Sequence, residues 1–145
     1  MTKPLLVLVL TGMSFGVAVA QSPAPTKSHA VSLIKLPNGD YTVPMSTLEG
    51  SGTSGKVTLH PEGLRTLVTV TAYGPPKHLH DFHLHAARDC DVAGASSIPL
   101  RPAMSGQPSQ TLISLPLNNI LSKNYVIDAR DATERQQFKE ACARL

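Results

Sequence analysis

Four of the six histidines fall in one stretch, Lys77-His78-Leu79-His80-Asp81-Phe82-His83-Leu84-His85. Read as a strand, the stretch sorts by parity. Asp81, His83 and His85 share one face, and His78, His80, Phe82 and Leu84 share the other. Two imidazoles at i and i+2 offer two nitrogen ligands to one ion, and neutral imidazole suits copper or zinc better than calcium or magnesium. Phe82 and Leu84 read as core-facing, so His83 and His85 are expected to be held in place. Asp81, beside them, is a further candidate, either coordinating or orienting an imidazole, or simply solvated. His80 falls on the core side and reads first as a hydrogen-bonded structural histidine, with coordination as its second role. His29 and His60 lie on other segments and read as surface residues.

The elements that must position these groups come from the rest of the chain. Lys3 followed by the apolar run Leu5 to Ala20, ending in Ala18-Val19-Ala20, reads as a secretory signal peptide over 1–20, cleaved before Gln21. No other apolar run is long enough to span a bilayer, so the reading is a secreted or periplasmic protein with no membrane attachment after cleavage. Residues 21–28 are rich in Pro, Ser and Ala and read as a flexible arm. Residues 29–145 form one domain. The formal charge of +3 drops to +2 without Lys3, and basic residues are scattered. That argues against a nucleic-acid partner. Cys90 and Cys142 are the only cysteines. In an oxidising compartment an even pair is most simply one disulfide, worth roughly 4 kcal/mol in the chain-entropy model for a loop of about 50 residues.

Short segments with period-two patterning alternate with turn signals. Ala30 to Leu36, Tyr41 to Val43, Lys56 to His60, Arg65 to Tyr73, the histidine stretch, Thr111 to Leu115 and Tyr125 to Ala129 all read as strands. Pro37-Asn38-Gly39-Asp40 and Pro61-Glu62-Gly63 read as turns, and 91–110 reads as a long loop. In the tail, 131–145, Phe138, Ala141, Cys142 and Leu145 fall at helical spacing. There is no βαβ alternation, so the expected class is all-β, an antiparallel sandwich or barrel.

His80-Asp81-Phe82-His83-Leu84-His85 resembles the H-G-F-H-V-H strand of copper–zinc superoxide dismutases. Cys90-Asp91-Val92-Ala93-Gly94-Ala95-Ser96-Ser97-Ile98-Pro99-Leu100 is similar to that family's C-x-x-A-G-x-H-x-x-P-L loop, and Ala141-Cys142-Ala143 to its A-C-G. The likeness covers about twenty contiguous residues. It implies a Greek-key β-sandwich, a Cys90–Cys142 disulfide tethering a long loop beside the site, and His83 and His85 as copper ligands. It leaves the tail open between a short C-terminal helix and the family's final strand.

The departures from that pattern are chemical. The family's bridging histidine aligns with Ser96, and no histidine follows His85. Neither Asp nor Glu occurs between Asp91 and Asp128. Tetrahedral zinc needs its ligands, so no zinc site of the family type is expected. The last copper histidine falls in the strand at 125–130, where Arg130 matches by spacing and Asp128 is the residue able to coordinate. Lys139, three residues before Cys142, would stand in for the family's anion-guiding arginine, with Arg130 a weaker candidate.

The resulting expectation is a secreted superoxide-dismutase-like domain that binds copper through His83 and His85, with dismutase activity weak or absent. Two alternatives stand beside it. One is an active copper-only dismutase, with superoxide as substrate and Asp81 or Asp128 completing the ligands. The other is a metal-free structural or interaction module. A cupin also carries His-x-His on a strand, but its later histidine has no counterpart here.

Overall fold

The computed structural model describes residues 32–48, 50–91, 96–133 and 138–145. The signal-peptide and arm readings, His29, and part of the loop after Cys90 lie outside the described residues.

Ten strands and one short helix follow in order: β1 Ile34–Lys35, β2 Tyr41–Thr47, β3 Ser54–Glu62, β4 Arg65–Tyr73, β5 Leu79–His85, β6 Ser97–Pro99, β7 Ala103–Met104, β8 Pro108–Ile113, α1 Leu117–Ser122, β9 Val126–Asp131 and β10 Lys139–Arg144. All pairings are antiparallel, in the order β6-β5-β9-β10-β2-β3-β4-β8, with β1 added to β2 and β7 to β5. The expected all-β class is therefore what the chain adopts.

The two ends of this ladder meet through side chains. Arg101 N donates to Thr111 Oγ1 at 2.9 Å, and Ser109 Oγ donates to the Arg101 carbonyl. The ladder so curls into a sandwich. One wall contributes Val43, Val57, Leu59, Val68 and Val70, and the other Phe82, Leu84, Ile127, Ala129, Ala141 and Ala143. Alternation explains the division: in β5 residues 80, 82 and 84 are buried, while 81 and 83 are half-buried. Burying Phe82 or Leu84 contributes roughly 1.5–3 kcal/mol each.

Three segments differ from the reading of the sequence. The tail over 139–144 is strand β10, not helix: its backbone pairs with β9, Ala141 and Ala143 face the core, and Cys142 between them faces outward into the disulfide. Helical spacing and strand alternation overlap in so short a run. The loop expected over 91–110 contains β6 and β7 and the start of β8, which pair with β5 and β4 despite three prolines. The connection after β8 holds α1, whose Leu117 and Ile120 are buried.

The Cys90–Cys142 disulfide is formed, with Cα atoms 6.0 Å apart. It fixes the segment after β5 onto the outer face of β10, where Cys90 and Ala87 pack on Val126 and Cys142. No helix among the described residues is long and apolar enough to cross a membrane.

Candidate metal centre

β5 carries histidines on both of its faces, and the sandwich gives the two sets opposite surroundings. On the inner side, His80 is fully buried at the end of the core, next to Phe82. His78 precedes β5 in a turn entered through Lys77, whose φ of 61° is left-handed. Its backbone is fixed at both ends: His78 N donates to the Pro75 carbonyl and Ser105 N to the His78 carbonyl, at 3.3 and 2.8 Å. The two rings meet edge to face, with centroids 4.7 Å apart.

The third member comes from the far end of the chain. Pairing between β9 and β10 shifts register between Lys139 and Ala141, so Glu140 is a bulge residue. A bulge re-aims the side chain it carries. Leu48 N and Ser51 Oγ both donate to the Glu140 carbonyl, at 2.9 and 2.6 Å, and anchor the bulge. Its carboxylate turns inward, between the two imidazoles. Glu140 Oε2 lies 2.7 Å from His80 Nδ1, and Oε1 lies 3.0 Å from His78 Nε2. Thr53 Oγ1 donates to Oε1 at 3.4 Å. Asp131, opposite His80 in the β5–β9 register, places Oδ2 3.6 Å from His78 Nε2.

Gly74 closes the back of this cluster. A Cβ there would stand 2.8 Å from Thr53 Oγ1 and 3.3 Å from His80 Cε1. A side chain larger than hydrogen here would force Thr53 or His80 to shift.

His78, His80 and Glu140 thus form a group able to hold a metal ion: one donor atom from each lies within 4.8 Å of the others. The donor chemistry fits. Nε2 of His78 faces Glu140 Oε1 without an aligned hydrogen bond, and Nε2 of His80 is buried without a partner among the described residues; on the outer face the same holds for Nδ1 of His83, Nδ1 of His85 and Oδ1 of Asp128. Such groups are costly unless something satisfies them.

The outer face holds the residues that the sequence put first. His83 Nδ1 is 3.8 Å from Asp128 Oδ1, and His85 Nε2 is 3.3 Å from Asp128 Oδ2. Asp128 is fully buried, and its charge is answered by Arg130, whose Nε and Nη2 both donate to Oδ2, at 3.0 and 2.8 Å. Arg130 Nη2 also lies 3.3 Å from His85 Nε2. The centroids of His83 and His85 are 6.0 Å apart. Burial pushes the His83 imidazole below its usual pKa; Asp128 opposes that shift, and Arg130 reinforces it.

Asp81 is half-buried on this face, opposite Arg130 in the ladder. Lys139 also pairs with Arg130 in register, and its Nζ donates to the Cys90 carbonyl at 3.0 Å. It is thus tied to the disulfide segment. His60, read as a surface residue, pairs with Asp40, whose carboxyl it holds below the usual range chiefly by hydrogen bonding.

Glu140 is the functional candidate that the sequence did not reveal, because its inward direction depends on a bulge in a segment patterned like a helix. The signal that was present is parity, which put His78 and His80 together. Searches against family models, curated proteins and solved structures find no match to this chain.

Proposed function

We propose that this chain is an exported, superoxide-dismutase-like β-sandwich domain that binds one metal ion through His78, His80 and Glu140, with dismutase activity weak or absent. The observation that carries this reading is the convergence of His78, His80 and Glu140, one donor atom of each lying within 4.8 Å of the others. The disulfide supports an oxidising compartment, secreted or periplasmic. On the outer face, Arg130 is the residue the resemblance aligns with a copper ligand. Its guanidinium lies on Asp128 and against His85, where it repels a cation.

A second reading keeps copper on the outer face, with superoxide as substrate. It is favoured by two observations: His83 and His85 each turn a nitrogen toward Asp128, and Nδ1 of both rings is buried without a hydrogen-bond partner among the described residues. Calorimetric titration of the oxidised protein with copper and with zinc separates the two. One-to-one binding abolished in His78→Ala and retained in His83→Ala supports the inner site. Binding abolished in His83→Ala and retained in His78→Ala, with copper-dependent superoxide removal, replaces it with the outer one.

A further inference from the structure

Resting on the inner-site reading, we infer that Thr53 is the positioning residue of that site: its hydroxyl fixes the direction of the Glu140 carboxylate.

Glu140 uses its two oxygens differently. Oε2 lies 2.7 Å from His80 Nδ1. Oε1 lies 3.0 Å from His78 Nε2 without an aligned hydrogen bond, and it accepts one from Thr53 Oγ1 at 3.4 Å. The last torsion of a glutamate side chain is broad and roughly two-fold, so a carboxylate left alone turns easily. A donor on one oxygen removes that freedom. Carboxylates that ligate metals are held in this way, and loss of the outer partner weakens metal binding by about 10–100-fold.

Thr53 has no solvent to turn to, because it is fully buried. A buried hydroxyl is costly without a partner. On its other side stands Gly74, where a Cβ would come within 2.8 Å of Oγ1. The hydroxyl is thus confined between the Gly74 backbone and Glu140 Oε1. At 3.4 Å the bond is long for a hydroxyl on a carboxylate, so it sets direction more than it adds energy.

Ser51 sets the spacing between the two residues. Its Oγ accepts from Thr53 N at 3.1 Å and donates to the Glu140 carbonyl at 2.6 Å. One side chain therefore joins the backbone of Thr53 to that of the bulge. Gly50 and Gly52, on either side of Ser51, have φ of 72° and 70°, the left-handed region that glycine adopts without strain. Leu48 N reaches the same carbonyl at 2.9 Å. The segment before β3 so grips the bulge of β10 at its carbonyl and at its carboxylate. Thr53 is no ligand here: the donor group is His78, His80 and Glu140, and Thr53 acts through the last of them.

The test compares the full oxidised protein with Thr53→Val, Thr53→Ser, Ser51→Ala and His78→Ala, with zinc as the probe ion. Valine keeps the branched shape and removes the hydroxyl; serine keeps the hydroxyl. Zinc affinity is read by competition with a chromophoric chelator, geometry by the visible absorption of the cobalt(II) derivative, and folding by urea unfolding of the metal-free proteins. Expected are one zinc per chain, binding lost in His78→Ala, at least about tenfold weaker binding with an altered cobalt spectrum in Thr53→Val, and wild-type affinity and spectrum in Thr53→Ser. Should Thr53→Val fail to fold, Ser51→Ala, at a half-buried position, carries the test: weakened binding supports the clasp and wild-type affinity overturns it. Wild-type affinity in Thr53→Val, or an equal loss in Thr53→Ser, would overturn the role of the hydroxyl and leave the three-residue site standing. Zinc binding retained in His78→Ala, or absent from the unmodified protein, would overturn the inner-site reading itself.

Discussion

His80 Nδ1 and Glu140 Oε2 lie 2.7 Å apart inside the sandwich, though sixty residues separate them in the chain. Both side chains are buried, His80 completely. The pair joins the first residues of the histidine strand to the bulge of the last strand. It makes the metal group a part of the fold and not an addition to its surface.

Glu140 is therefore expected to matter for stability even without metal. Replacing it with alanine leaves the His80 imidazole without its buried partner, which costs about 3 kcal/mol by the usual penalty for breaking a buried pair. Glu140→Gln, which keeps an acceptor oxygen, should cost less. Urea unfolding of the metal-free proteins measures both. Equal stability of Glu140→Ala and wild type would mean that the contact does no structural work.

Gly74→Ala should be more harmful than an exposed glycine-to-alanine change. The added methyl meets Thr53 Oγ1 at 2.8 Å and the His80 ring at 3.3 Å. Overpacking of this kind costs roughly 1–3 kcal/mol. It should also weaken metal binding by displacing His80. Thermal unfolding and metal titration on the same variant check the two effects together.

Acidification should destabilise the protein through His83. Its folded pKa lies below the ordinary value of 6.5, chiefly because burial disfavours the charged ring. The unfolded chain then binds more protons than the folded one, and stability rises with pH. The contribution is fully present above about pH 6.5 and is lost as pH falls from there through the lower folded pKa. Melting temperatures of wild type and His83→Asn from pH 7.5 to 5.5 test this: the wild type should lose more. An NMR titration of the His83 ring should show the depressed midpoint.

Arg130 is expected to keep copper off the outer face. Arg130→Gln removes the cation beside His85 and frees the Asp128 carboxylate toward His83 and His85. Copper affinity at those histidines should then rise by tenfold or more, read by nitrogen hyperfine structure in electron paramagnetic resonance. An accompanying loss of stability is expected, because Asp128 is left as a buried charge with a neutral partner. Unchanged copper binding would show that Arg130 is no barrier.

Much of the frame was legible in the residues. Strand β4 runs over Arg65–Tyr73, as its Val and Thr alternation indicates, and the parity of β5 divides its side chains as expected. The Cys90–Cys142 bond also follows from the sequence. The site was legible only by half. Parity assigned His78 and His80 to one side, but coreward histidines read most simply as structural ones. What joins them to Glu140 is a one-residue slip between β9 and β10, and a bulge of that kind depends on long-range pairing. The Arg130 contact with His85 is likewise a tertiary fact: Arg130 and Asp128 are neighbours on one face of β9, but only the folded sheet brings His85 against the guanidinium.

The most direct test of the metal assignment is a crystal structure of the zinc-loaded, oxidised protein with anomalous diffraction at the zinc edge. The expected result is one peak on the inner face, within bonding distance of His78, His80 and Glu140. A peak on the outer face between His83, His85 and Asp128, or none at stoichiometric zinc, would contradict it.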